Sequence, residues 1–232
     1  MIENHNRCIK VSESGICTFC YSVDITKNGH TKTGKQQYFC KNCGLRFLDH
    51  YSYNAYRKET DFKIGQLIKE GLGIRSIARV LNISATTVLK RIQNISENIR
   101  IPVLLFGKTY ELDEMRFFIK KKSNLMWLAY AIDKTTKKVV AFYIGRRNNR
   151  TLNAVIKTLL NAKTENIYTD KLRNYQYLIP EDIHITQRYG TNGIERKNLN
   201  IRTHLRRFGR KTICFSKSMR ITQAVLKIYF WL

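Results

Sequence analysis

The sequence predicts a multidomain α+β chain: a small cysteine-bearing module, a unit of three helices, and a larger α/β domain. Three observations carry this expectation. Four of the six cysteines stand as two Cys-x-x-Cys pairs within the first 50 residues. Apolar residues then recur at helical spacing through residues 58–97. After residue 107, runs rich in β-branched and aromatic residues alternate with helical ones. The expected divisions are residues 1–50, 51–100 and 101–232.

The first 14 residues read as a loose arm. Cys17-x-x-Cys20 is followed, after 19 intervening residues, by Cys40-x-x-Cys43. Each pair folds as a tight knuckle that presents two sulfurs to one ion, the pattern of a four-thiolate zinc ribbon. One structural Zn2+ is expected, because four thiolates leave no open coordination position. Asn28-Gly29 and Gly34 supply hairpin turns between the pairs, and Gly44 allows the backbone to turn after Cys43. Cys8 and Cys214 fall outside the spacing; Cys214 reads as a small buried residue.

"GIRSIARVLNISATTVLKRI" (73–92) reads as two helices around a tight turn, a helix-turn-helix. Ile77, Ala78 and Leu81 line the first helix, and Val88 and Ile92 the second. Ile83 plugs the turn and Ser84 caps the second helix. "DFKIGQLIKEGL" supplies a preceding helix. The exposed face of the second helix is expected to present Thr86, Thr87, Lys90 and Arg91 to DNA. An ordinary helical hairpin has the same pattern, so the charge must decide between them.

A connection containing Pro102 leads to three strands, "TYELDE", "LMWLAYAID" and "KVVAFYIG". "TLNAVIKTLLNA" (151–162) places Leu152, Val155, Ile156, Leu159 and Leu160 on one helical stripe. Short strands "NIYTD" and "DIHIT" follow. Then comes the basic helix "GIERKNLNIRTHLRRFGRKT" (193–212), with Gly209 as its stop. An apolar helix starting near Ser218 ends the sequence.

The chain carries 42 Lys+Arg against 17 Asp+Glu, a formal charge of +25. Both halves are basic: +8 before residue 101 and +17 after it. So positive a field calls for a polyanionic partner, and double-stranded DNA is the first candidate. The longest apolar run, residues 125–132, falls well short of the ~20 residues a membrane-spanning helix needs. No secretory h-region is visible, and unoxidised Cys-x-x-Cys pairs suit a reducing compartment. A cytoplasmic protein associated with the nucleoid is expected, with no membrane partner.

Only nine acids lie beyond residue 100: Glu111, Asp113, Glu114, Asp133, Glu165, Asp170, Glu181, Asp182 and Glu195. Enzymes acting on phosphodiesters hold two Mg2+ ions between a few such groups, with Mn2+ as an alternative. Asp113 lies on the first strand of the α/β domain. Asp170 ends the fourth, and Glu195 opens the basic helix. If the first and fourth strands are neighbours, Asp113 and Asp170 meet. Glu195 also fits a capping box with Asn192 as N-cap. Alternation along the strand keeps Glu111 on the side of Asp113, so Glu111 and the adjacent Glu114 are rival first ligands.

Taken together, the cysteine pairs, the helix-turn-helix, "YELDE", "YTD" and "GIERKNLNIRTHLRRFGRKTICFSKS" resemble a transposase of the insertion sequence 1 family. The resemblance implies an RNase H-like catalytic domain with an Asp-Asp-Glu metal triad, here Asp113, Asp170 and Glu195. It implies that Mg2+-activated water frees a 3′-OH at the element's end, which then attacks target DNA by direct transesterification. Terminal repeats and target DNA would be the substrates of a homodimer or larger assembly. Helical geometry adds Asn198, Arg202 and Arg206 to the face of Glu195 as DNA contacts, since the two arginines fall within about 20° of it. The alternative reading is a zinc-ribbon/helix-turn-helix regulator, or an inactive transposase copy. The three acids and the basic helix discriminate, because a regulator needs neither.

Overall fold

The computed structural model describes residues 15–48, 53–57 and 59–232. The N-terminal arm and Cys8 lie outside the described residues. The chain is mixed α/β. Strands β1 (Ile25–His30), β2 (Gln36–Cys40) and β3 (Arg46–Leu48) form an antiparallel sheet. Its apolar core is small: Cys17, Cys40 and Phe47 are buried, with Phe19, Ile25 and Tyr38 packed against them.

Three helices follow, α1 (Thr60–Lys69), α2 (Ile74–Leu81) and α3 (Ala85–Asn98). Asn82 takes the left-handed conformation (φ 51°) that ends α2. The Ser84 hydroxyl accepts the Thr87 N–H at 3.0 Å and so caps α3, a contact worth ~1 kcal/mol. Ile77, Ile83, Val88 and Ile92 are buried, as the periodicity requires.

The larger sheet has the order β6-β5-β4-β7-β8. It is built from β4 (Thr109–Phe118), β5 (Leu125–Asp133), β6 (Val139–Gly145), β7 (Asn166–Tyr168) and β8 (His184–Ile185). The first three are antiparallel, while β7 pairs in parallel with β4 and with β8. Helices α4 (Asn149–Leu160) and α5 (Arg173–Leu178) separate the later strands, and α6 (Asn192–His204) and α7 (Met219–Trp231) complete the chain.

Period-two alternation on β4 sorts its side chains between two layers. Tyr110 and Leu112 pack with Leu152, Val155, Ile156 and Leu159 of α4. Met115 and Phe117 pack on the other face with Ile194, Ile201, Leu205 and Phe208. That second cluster also holds Ile64, Ile77, Val88 and Ile92 of the three helices, bridged by Val225 and Ile228 of α7. The three-helix unit and the sheet therefore share one apolar core. Among the described residues, no helix is long and apolar enough to cross a membrane.

Two sequence expectations are corrected here. The basic helix does not run to Gly209. It ends at His204, Leu205 leaves helical geometry (φ −99°, ψ 86°), and a separate 3-10 turn spans Arg206–Phe208. Burying Leu205 and Phe208 against β4 outweighs continuing the helix, and Gly209 follows the 3-10 turn instead. Cys214 is exposed, not buried. Ser218 precedes α7 as expected, but without a side-chain capping bond.

Candidate active site

The site forms where α6 crosses β4 beside the end of β7. The parallel register pairs Thr109 with Asn166, Tyr110 with Ile167 and Glu111 with Tyr168. Continued two residues further, it brings Asp170 level with Asp113. The two carboxylates lie close enough for Asp170 to raise the pKa of Asp113.

Asp113 is clasped from two sides. Asn198 Nδ2 donates to Oδ2 at 2.6 Å, and the Glu114 N–H donates to Oδ1 at 2.7 Å. Burial pushes its pKa up to about 6, against the pull of these two donors, and the charges of Glu114 and Asp170 push the same way as burial. Asn198 is itself fixed, because its Oδ1 accepts the Tyr130 hydroxyl at 2.9 Å. Asn198 is buried, so this residue orients a carboxylate and has no open edge for DNA.

Asp170 is exposed just beyond β7, and its Oδ1 accepts the Leu172 N–H at 3.1 Å, which starts the turn into α5. The preceding Thr169 is buried. Its hydroxyl donates to the Asp170 carbonyl at 2.8 Å and lies 2.7 Å from His184 Nε2. One hydroxyl proton cannot serve both, so His184 Nε2–H is the donor to Thr169. Burial lowers the His184 pKa, which favours that neutral ring.

Glu195 is exposed in the first turn of α6, where its Oε1 accepts from the Thr191 hydroxyl at 3.3 Å. Thr191, not Asn192, is the N-cap, so the expected capping box is not formed. Asp113 senses the charge of Asp170, while Glu195 lies one turn before Asn198 on α6; the three acids do not close into a tight cluster. Among the described residues, the His/Cys/Asp/Glu group whose ligand atoms all lie within 4.8 Å is the cysteine quartet.

The two rival acids have other partners. Glu111 is buried beneath the N-terminus of α6. Its Oε2 accepts the Ile194 N–H at 2.7 Å and its Oε1 accepts from Lys137 at 2.8 Å. It occupies the place where a helix favours an anion. Gly193 makes the approach possible, since a Cβ there would lie 2.6 Å from the carboxylate. Glu114 points to the opposite face. Arg147 donates to its Oε1 through Nε at 3.0 Å and Nη2 at 2.9 Å, and the Tyr175 hydroxyl donates to Oε2. Arg147 also lies 4.5 Å over the Trp127 ring. Tyr175 belongs to α5, so this contact fastens the segment after Asp170 to the residue after Asp113. Nothing in the local sequence signals these roles, because both partner sets come from distant elements.

The expected DNA contacts divide. Thr86 and Lys90 are exposed on α3. Thr87 is engaged in the cap, with its hydroxyl 2.8 Å from Ser84 Oγ and 3.2 Å from Tyr53. Arg91 is turned inward: it donates to the Ala55 carbonyl at 2.8 Å and pairs with the half-buried Asp61 at 3.3 Å. Arg202 stays on the α6 face and senses the charge of Asp113. Arg206 sits beyond the helix end, in the 3-10 turn.

In the cysteine module the knuckles share one geometry. Tyr21 N–H bonds to the Cys17 carbonyl at 3.0 Å, and Gly44 N–H to the Cys40 carbonyl at 2.9 Å. Tyr21 and Gly44 both have positive φ, 59° and 70°. Cys17 and Cys43 sulfurs lie 3.7 Å apart, and Cys20 and Cys40 sulfurs 3.5 Å. The Cys43 N–H beside it holds the Cys40 thiol down to about 7.

Two solved structures have a weak overall likeness. A chain of a simian T-cell lymphotropic virus intasome in complex with PP2A regulatory subunit B56 gamma matches 70% of this chain and 66% of its own, at 16% identity and TM-score 0.37. The HTLV-2 integrase catalytic core domain in complex with magnesium matches 55% and 86%, at 18% identity and TM-score 0.36. The sequence relatives are nearer. The iso-IS1n protein InsB of Shigella dysenteriae is 36% identical over 116 residues, 50% of this chain and 88% of that protein. The IS1 protein InsB of Shigella sonnei is 36% identical over 119 residues, 51% and 91%. The family described as IS1 transposase matches residues 108–231, which contain all three candidate acids and the Asn198 clasp. With that match over more than half its length, the chain belongs to the IS1 transposase family.

Proposed function

We propose that the protein binds the ends of an insertion element through residues 1–100 and performs strand cleavage and strand transfer through residues 101–232. The observation that carries this reading is the clasp on Asp113. The helix whose first turn bears Glu195 also delivers Asn198 to Asp113, and Asp170, in the loop just beyond the neighbouring strand β7, is near enough for its charge to act on Asp113. The strand order β6-β5-β4-β7-β8, antiparallel then parallel, supports the RNase H-like reading of the larger domain.

Asp113, Asp170 and Glu195 offer the hard oxygen donors that Mg2+ or Mn2+ takes. Such ions supply Lewis acidity at the scissile phosphate and at the attacking oxygen. The chain's own groups do the positioning. Asn198 holds Asp113 in one rotamer, Glu111 and Lys137 anchor the start of α6, and Tyr175 ties the Asp170 segment to Glu114. Arg202 places a cation beside the carboxylates for a DNA phosphate.

The cysteine quartet fits one Zn2+. Four sulfurs about 2.3 Å from an ion sit about 3.8 Å apart at tetrahedral corners, near the 3.5 and 3.7 Å found. Thr86 and Lys90 are the free groups on α3 for duplex DNA, in the manner of a recognition helix. Joining two element ends calls for a homodimer or larger assembly on DNA.

A strand-transfer assay with Mg2+ tests the reading. Glu195→Gln keeps size and fold but removes a metal-binding charge. Cleavage and joining are expected to fall by at least about 100-fold, the scale of losing a group that acts in the transition state, with duplex binding unchanged. Activity retained in that variant would remove Glu195 from the catalytic set.

A further inference from the structure

A cleft of about 950 Å3 separates the three-helix unit from the C-terminal part of the chain. One wall is the corner between α1 and α2 with the near side of α3, including Leu72, Ile74 and Leu89. The other is the end of α6, the 3-10 turn and residues 214–218. Arg75, Arg206, Arg207 and Lys217 line it, against one acid, Glu70. Among the described residues, none of these four cations has an ion-pair partner. Arg207 is partly desolvated, which pulls its pKa down. Ser216, buried at the same wall, has an Oγ without a hydrogen-bond partner among the described residues. Phe215 adds an aromatic ring.

Unpaired cations over apolar and aromatic side chains are the combination that holds a single nucleic-acid strand, with phosphates on the charges and bases on the apolar wall. The volume is that of a small-molecule pocket, room for about two or three nucleotides and too little for a duplex. The cleft shares the helix α6 with the Asp113 clasp. Thr203 and His204 of α6 line it, and Asn198, which holds Asp113, lies only about 8 Å back along that helix.

We propose that this cleft binds unpaired, single-stranded DNA, with phosphates on Arg206, Arg207 and Lys217 and bases against Leu72, Leu89 and Phe215. The proposal rests on the transposase reading and assigns it a site for the frayed strand next to the reacting end.

The test is fluorescence anisotropy of the full chain with a labelled 12-nucleotide single strand and with a 12-base-pair duplex. Arg207→Gln is expected to raise the single-strand Kd about tenfold and to change duplex Kd less than twofold. It should also flatten the slope of log K against log salt by about 0.7, one phosphate contact on a single strand. Lys217→Gln should act in the same direction. Lys90→Ala should do the reverse, weakening duplex more than single strand. Single-strand affinity within twofold of wild type in both cleft variants would overturn the proposal. So would equal weakening of single strand and duplex, which marks a general electrostatic effect. So would exclusion of single strand by self-association, seen as a larger species in light scattering that Arg207→Gln dissolves. Asp170→Asn separates the two levels: loss of cleavage with single-strand binding intact is expected. Cleavage surviving in Asp170→Asn sinks the catalytic assignment and leaves the cleft standing.

Discussion

The cysteine module and the carboxylate site position their candidate metal ligands in opposite ways. In the module, each ligand pair is three residues apart, and a positive-φ residue behind each pair completes the knuckle. All four sulfurs lie within 4.8 Å of one another. In the larger domain the acids come from a strand, a loop and a helix, and each has its own protein partner. Local spacing preassembles the first site. The second depends on the whole fold, and its geometry is held by residues other than the three acids.

The largest expected effect separates the two regions. Among the described residues, the apolar core of the β1–β3 module is Cys17, Cys40 and Phe47, far too little to offset the ordering of its backbone. Zinc bound to four thiolates supplies ~10–16 kcal/mol of folding free energy in small domains of this kind. A strong chelator, or Cys40→Ser, is therefore expected to unfold residues 15–48 alone. Limited proteolysis followed by mass spectrometry should show cuts confined there, with residues 109–231 protected. A chelated protein whose module resists protease would break the comparison, because the sheet would then stand without its metal.

The contrast also explains what the sequence could show. Cys17, Cys20, Cys40 and Cys43 were legible because their geometry is encoded within a few residues. The three helices and the strands of the larger sheet were legible for the same reason: Ile77, Val88 and Ile92, and the 109–118 alternation, are local patterns. The parallel neighbourhood of β4 and β7 could be posed only as a condition. The inward turn of Arg91 was invisible, because Asp61 and Ala55 reach it from 30 and 36 residues away. So was the early end of α6. Helical arithmetic placed Arg206 on the Glu195 face, but packing of Leu205 and Phe208 against the sheet redirects the chain at His204.

The next effect probes how the fold strains its own acid. Burial raises the Asp113 pKa from 3.8 to about 6. The folded chain then binds a proton more readily than the unfolded one. Stability contributed at this residue is full below about pH 4 and is lost as pH rises through 6. Two units correspond to ~3 kcal/mol. Asp113→Asn removes the charge but replaces one carboxylate oxygen with an NH2 group, which must face either the Asn198 amide or the Glu114 N–H donor against donor, so the net gain above pH 6 is ~1–2 kcal/mol. Thermal unfolding without added divalent metal should show the variant level with or below wild type at pH 4 and above it at pH 7.5. A stability difference independent of pH would mean that Asp113 is not strained, and that the fold builds this site at no electrostatic cost.

An effect of similar size tests the remote fastening. Tyr175 is fully buried, and its phenol stays protonated because burial and the neighbouring Glu114 charge raise its pKa. It donates to Glu114 Oε2, while Arg147 covers Oε1. Tyr175→Phe preserves the ring and removes one donor, leaving a buried carboxylate oxygen unsatisfied at a cost of ~1–3 kcal/mol. For a domain of this size that corresponds to a fall in Tm of roughly 2–4 °C per kcal/mol. The same variant should loosen the turn that carries Asp170. Hydrogen exchange at the Leu172 amide, which bonds to the Asp170 side chain, is then expected to accelerate more than exchange in α4. If Leu172 keeps its protection while Tm falls, the contact serves the core alone, and Asp170 is held by its own turn. The carboxylate site would then be closer in kind to the cysteine knuckles, with each ligand set by its immediate neighbours.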